Sequence, residues 1–188
     1  MYAKVASVLA FAGLSAATPV ARQSTIADGT PFGLMALRSG SDIHFAPVDA
    51  ARSALFLDLP AQNASCDNGA ADSATFYLQD GGLYLYAQSA TPQQLYTDRS
   101  GMGQGVLQYT TGAEPIAQNG ERTNFTLDAT GDLTFNGAGF LACPNSIDGA
   151  WVIWVDTGIA TPAQQQGCLG FSARAVEVTN PNGCLYTE

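Results

Sequence analysis

The sequence predicts an all-β domain. Three observations carry that expectation. Helical periodicity is nearly absent, short runs rich in Phe, Tyr, Leu, Val and Thr recur, and Gly, Asn, Asp and Pro separate them. The runs read as about twelve short antiparallel strands. They lie near 32–38, 42–48, 54–59, 74–79, 83–87, 94–97, 105–110, 123–128, 132–136, 139–143, 151–156 and 170–178.

The boundaries have chemical reasons. Asp80-Gly81-Gly82 and Thr130-Gly131-Asp132 suit tight turns, because glycine reaches positive φ freely and aspartate bonds its own backbone. Pro47, Pro60, Pro92, Pro115, Pro144, Pro162 and Pro181 fall at run ends or between runs, where a missing N–H costs least. Two stretches echo each other: Phe76-Tyr77-Leu78 through Thr110-Thr111-Gly112, and Phe125-Thr126-Leu127 through Asp156-Thr157-Gly158. Each runs strand, glycine turn, strand, strand, strand. With Asp42–Leu57 as an eroded earlier copy, three loose units favour a β-trefoil-like arrangement. A β-sandwich is the alternative.

Residues 1–17 read as a secretory signal peptide. Lys4 supplies the positive region, Val5–Leu14 the apolar one, and Ser15-Ala16-Ala17 the small residues before cleavage. The apolar run is far short of the roughly 20 residues a bilayer span needs. A short extension, 18–31, precedes a single domain over 32–188. The end of the sequence shows no apolar tail for a lipid anchor, so no membrane association is expected of the mature form. Without its leader the chain carries six arginines, no lysine and sixteen acids, a net charge of −10. Nucleic-acid binding needs clustered cations, which this chain lacks.

In an exported chain, Cys66, Cys143, Cys168 and Cys184 imply two disulfides. An extended strand over Phe171–Val178 carries the chain about 26 Å at ~3.3 Å per residue. The residues from there to Cys184 can return it only about 20 Å. Cys168–Cys184 is therefore awkward, and Cys143–Cys168 with Cys66–Cys184 is favoured. Asn63-Ala64-Ser65 and Asn124-Phe125-Thr126 are N-glycan acceptors.

Catalytic patterns are missing. No C-x-x-C occurs, and the single histidine, His44, offers no metal set, so no metal or cofactor is expected. A triad with Asp42 or Asp49 and a serine is formally available to His44. Alternation in Ile43-His44-Phe45 instead turns it away from the Ile43/Phe45 face, as a surface or second-layer residue. Most of the acids sit beside Gly, Asn or Ser in apparent turns, which disfavours a glycosidase pair. Aromatic residues are the better functional candidates. Tyr84 and Tyr86 share one face of their strand, opposite Leu83 and Leu85, while Trp151 and Trp154 face opposite sides of theirs. These four are a possible ligand platform, set against burial in the core.

Phe32-Gly33-Leu34-Met35-Ala36-Leu37-Arg38-Ser39-Gly40-Ser41-Asp42-Ile43-His44-Phe45 resembles the opening motif of the PhiA-type cell wall proteins of filamentous fungi. Gly139–Pro144 and Cys168–Ala173 agree in the same order. The likeness departs at Asp42, where that family often has proline, and is weak over 60–120. It implies a secreted, non-enzymatic wall or surface protein, of a family linked to conidiophore (phialide) development and including allergens. Cell-wall polysaccharide or other wall proteins are the implied partners. It implies no catalytic residues. Arg38, His44 and Phe45 match its motif, with structural roles expected: Arg38 pairing an acid, Ile43 and Phe45 anchoring the first hairpin. The alternative is a secreted lectin-like or effector-like binding module, and a glycoside hydrolase ranks last.

Overall fold

The computed structural model describes residues 26–89 and 91–188. The expected signal peptide and most of the extension lie outside them. The strands are β1 (Phe32–Leu37), β2 (Val48–Ala51), β3 (Ala54–Leu57), β4 (Ser65–Cys66), β5 (Thr75–Gln79), β6 (Gly82–Leu85), β7 (Gln93–Asp98), β8 (Val106–Thr111), β9 (Gly120–Glu121), β10 (Phe125–Leu127), β11 (Asp132–Phe135), β12 (Phe140–Cys143), β13 (Trp151–Val155), β14 (Leu169–Glu177) and β15 (Cys184–Leu185). Short 3-10 turns at Ile147–Gly149 and Pro162–Gln164 are the helical elements among the described residues.

All named pairings are antiparallel, and they close a barrel. The order β1-β5-β6-β7-β8-β3-β13-β12-β14 returns to its start because β14 pairs β1 from Phe32↔Glu177 to Leu37↔Ser172. Hairpin β10–β11 joins β14 through Asp132↔Arg174 and Leu133↔Ala173, β2 pairs β3, β9 pairs β7, and β4–β15 form a separate ribbon. The threefold repeat expected of a trefoil is not seen in this pairing. Strands β5 to β8 are a plain meander, but in the echoing stretch β14 inserts between β11 and β12. A repeated order of strands and turns does not dictate which strands become neighbours.

The turn chemistry works as read. Asp80 (φ 51°) and Gly81 (φ 76°) form a two-residue reversal, so Gln79 faces Gly82 and Tyr77 faces Tyr84. One expected strand is corrected. Residues 42–45 are a turn, and the following strand is β2 at Val48–Ala51. The Ser41 hydroxyl donates to the Arg38 carbonyl and the His44 N–H to the Ser41 carbonyl. Ala36 then bonds both residues at the end of the loop: its N–H reaches the Ala46 carbonyl, and its carbonyl accepts the Phe45 N–H. Local side-chain bonding of this kind competes with a strand ladder.

Alternation along each strand fills the barrel. Phe32, Phe76, Leu83, Leu85, Leu95 and Phe135 are each 0% exposed. The free space among Leu34, Leu107, Phe140, Ile153 and their neighbours is about 10 Å³. That is no ligand lumen, in contrast to wider barrels that hold a small molecule. A ligand of any size is therefore sought on the outer face.

Candidate functional site

The outer wall of the barrel falls into a covered part and an open part. On β13, Ile153 and Val155 point inward, with half-buried Trp151 packed against the same core. Trp154 points outward, yet it is only 8% exposed, beneath Leu141 and the Cys143–Cys168 bridge. Trp154 is thus no platform, a correction to the expectation. Trp151 belongs to the core packing.

The tyrosines are arranged differently. Leu83 and Leu85 are buried, while Tyr84 and Tyr86 are half-buried on the other face. The rings of Tyr84 and its cross-strand neighbour Tyr77 stack 5.1 Å apart at 14°. Burial and the neighbouring Tyr84 hold the Tyr77 phenol above its usual range. Tyr84 lies over Gly82, where a β-carbon would come within 2.9 Å of its ring and of Gln94 Nε2. Beyond Tyr84 the row continues across the sheet to Gln94 and Thr110. Arg122 fastens this end: it donates to Gln94 Oε1 at 3.2 Å, Thr110 Oγ1 at 2.8 Å and the Glu114 carbonyl at 3.1 Å.

Tyr86 borders a cleft of about 560 Å³, with Asn68, Gln88, Asn180 and Asn182 around it. The bridge Cys66–Cys184 underlies this region, directly across the β4–β15 ribbon. Cys184 N–H donates to the Tyr86 carbonyl at 3.1 Å, and Asp67 N–H to the Gly183 carbonyl at 2.9 Å. Asn182 ties the two walls, accepting from Asn68 N–H and donating to the Gly69 carbonyl, each at 3.0 Å. Sequence reading missed Tyr77, Gln94, Arg122 and these amides. The Asp80-Gly81 turn could have paired Tyr77 with Tyr84. Nothing local joins Asn68 to Asn182.

The motif residues sit elsewhere. Arg38 Nη1 donates to the Gly170 carbonyl at 2.5 Å, a backbone partner in place of the expected acid. His44 Nδ1 accepts the Arg38 N–H at 3.1 Å. Ile43 is buried, whereas Phe45 is 61% exposed with φ 69° and stacks on His44 at 3.8 Å. The two therefore do not share a face, and only Ile43 anchors the turn in the core. Both sequon asparagines, Asn63 and Asn124, are exposed.

One buried acid stands apart. Asp49 is 2% exposed, its Oδ2 accepts the Leu59 N–H at 3.2 Å, and its Oδ1 has no partner. Loss of water around the carboxyl, opposed by that bond, pushes its pKa up to about 7.

A family model described as PhiA-like secreted protein matches residues 32–187. The chain belongs to the PhiA-like secreted proteins. It is 51% identical to cell wall protein phiA of Aspergillus fumigatus, over 94% of this chain and 96% of that one. It is 52% identical to the protein of the same name from Aspergillus niger, over 93% of this chain and 95% of that one. The counterpart in Arthroderma benhamiae is 37% identical over 100% of this chain and 99% of its own length. No solved structure matches the chain. As a PhiA-like protein it is secreted, and its place is extracellular, in the fungal cell wall.

Proposed function

We propose that this PhiA-like protein is a non-enzymatic wall component, a single domain over 32–188 behind a cleaved leader. It is held by contacts between its outer surface and the wall matrix, and it serves conidiophore (phialide) development. The observation that carries this reading is near-full-length likeness to proteins named for the cell wall. The structure supports the non-enzymatic part in two ways. The one histidine has Nδ1 occupied by a backbone N–H, and the most perturbed carboxyl, Asp49, is sealed under the 58–62 segment. Asn63 and Asn124 are exposed acceptors, and glycans there would add to the hydrated surface. Fractionation tests the reading: tagged protein is expected in washed walls, and recovery from the medium alone would refute retention. A broad hydrolase screen is expected to show no turnover. The amide-lined cleft favours a second reading, a free lectin-like module, which the medium-only outcome would select.

A further inference from the structure

We propose that the Tyr86 cleft, continued by Tyr84 and Tyr77, is a binding site for a neutral hexopyranose polymer. This rests on the reading that the protein is held by the wall matrix, and it assigns the residues that do the holding.

The filled barrel leaves only the exterior for a ligand. Among the described residues, two exterior clefts stand out for size. The one over Leu59–Asp72, about 460 Å³, is lined largely by alanine, proline and the sequon Asn63, with no aromatic ring. The Tyr86 cleft differs in chemistry. Asn68, Gln88 and Asn180 present exposed amides beside a half-buried ring. An amide both donates and accepts, which matches a hydroxyl in either role. A tyrosine ring gives a flat apolar face for the C–H side of a pyranose and keeps its hydroxyl in water. Concave lining with a few oriented polar groups is the usual form of a small-ligand site.

The site is also held in shape. The Cys66–Cys184 bridge and the two bonds of Asn182 fix its walls before any ligand arrives, so less ordering is required on binding. Tyr84 follows on the same face, about 6.6 Å away at ~3.3 Å per residue, comparable to one sugar unit. Tyr77 backs one face of the Tyr84 ring by stacking on it and so holds that ring in place, and Gly82 leaves the room that the Tyr84 ring occupies. A linear chain can run from the cleft across the two rings toward Gln94.

Charge decides the class. The cleft lining holds no ionised group, and the nearest cation along the row, Arg122, is committed to three internal bonds. With six arginines against sixteen acids after the leader, the molecule repels polyanions. A neutral chain fits; an acidic one does not.

The test is retention of the secreted mature protein on insoluble β-1,3-glucan, chitin and mannan, with polygalacturonate as the acidic arm. At least one neutral polymer should retain the protein and polygalacturonate should not. Tyr86→Ala and Tyr84→Ala should each weaken retention about tenfold, the loss of roughly 1.4 kcal/mol. Tyr86→Phe, which keeps the ring, and Phe45→Ala, on the distant turn, should bind as the parent does. The proposal is overturned if no neutral polymer retains the protein, or if both alanine variants bind like the parent with unchanged thermal transitions. Should washed walls hold the protein while none of the polymers does, this site fails and the wall reading stands. Retention on a polymer with release from washed walls would leave the site standing and remove the wall reading.

Discussion

Strands β13 and β6 both lie in the barrel wall, and both send large aromatic rings to its outer face. Trp154 is nevertheless buried, whereas Tyr84 is only half-buried. The difference lies in the layer above, since both strands alternate inward and outward alike. A disulfide and its flanking segment roof Trp154, and the 58–62 segment likewise roofs Asp49 on β2. Nothing comparable covers Tyr84. The covered part also carries orphaned polar atoms, Asp49 Oδ1 and Trp154 Nε1, each costing about 1–3 kcal/mol when buried unpaired. The half-buried tyrosines of the other face carry no such orphaned atom. Roofing stabilises the barrel, and the unroofed stretch is where a ligand has access.

The sharpest break in this contrast comes from the bridges. Replacing Cys66 and Cys184 by serine releases a closed span of 118 residues, with an expected loss of about 5 kcal/mol by chain entropy. Replacing Cys143 and Cys168 releases a span of only 25, with an expected loss of about 3.5 kcal/mol. Urea unfolding separates the two. In the second variant the Trp154 emission should also shift to the red as its roof loosens.

Truncating Trp154 to alanine should cost about 3–5 kcal/mol, as for other buried large rings. An outcome below 1 kcal/mol would mean that the roof does not pack.

Asp49→Asn sharpens the contrast through pH. The folded pKa of Asp49, about 7, lies above its ordinary 3.8. The neutral carboxyl therefore contributes stability that is complete below pH 3.8 and is lost as pH rises to about 7. The loss is at most about 4 kcal/mol. The parent should be more stable at pH 4 than at pH 7.5, and Asp49→Asn should remove most of that slope. Equal slopes in thermal melts would count against the buried, unpaired carboxyl.

The smallest effect belongs to the open row. Tyr84→Ala should change stability by less than about 1 kcal/mol. A double-mutant cycle with Tyr77→Ala should return about 0.5 kcal/mol of coupling for the stacked pair. A loss as large as that of Trp154 would erase the distinction between the two faces.

Much of the candidate site was legible in local pattern. Alternation in Leu83-Tyr84-Leu85-Tyr86 predicts the outward tyrosines, and the Asp80-Gly81 turn pairs Tyr77 with Tyr84. The same alternation applied to Trp151–Trp154 gives the direction of each ring but says nothing of a roof. It also misled at Ile43-His44-Phe45, where Ser41 and the backbone bonds of Ala36 to Phe45 and Ala46 close a turn.

Taken alone, the sequence determines the class of strand-rich fold, most strand positions, the tight turns and the face each side chain takes, because these depend on period-2 geometry and on residues within a few positions. Its family motif leads to the secreted wall proteins. Only the tertiary structure decides that the strands close into one barrel rather than three repeated units. Pairing depends on which apolar faces bury each other across long separations, and β14 enters between β11 and β12 for that reason. The structure also decides which outward ring is covered, and it brings Asn68 beside Asn182, 114 residues on, to make the Tyr86 cleft.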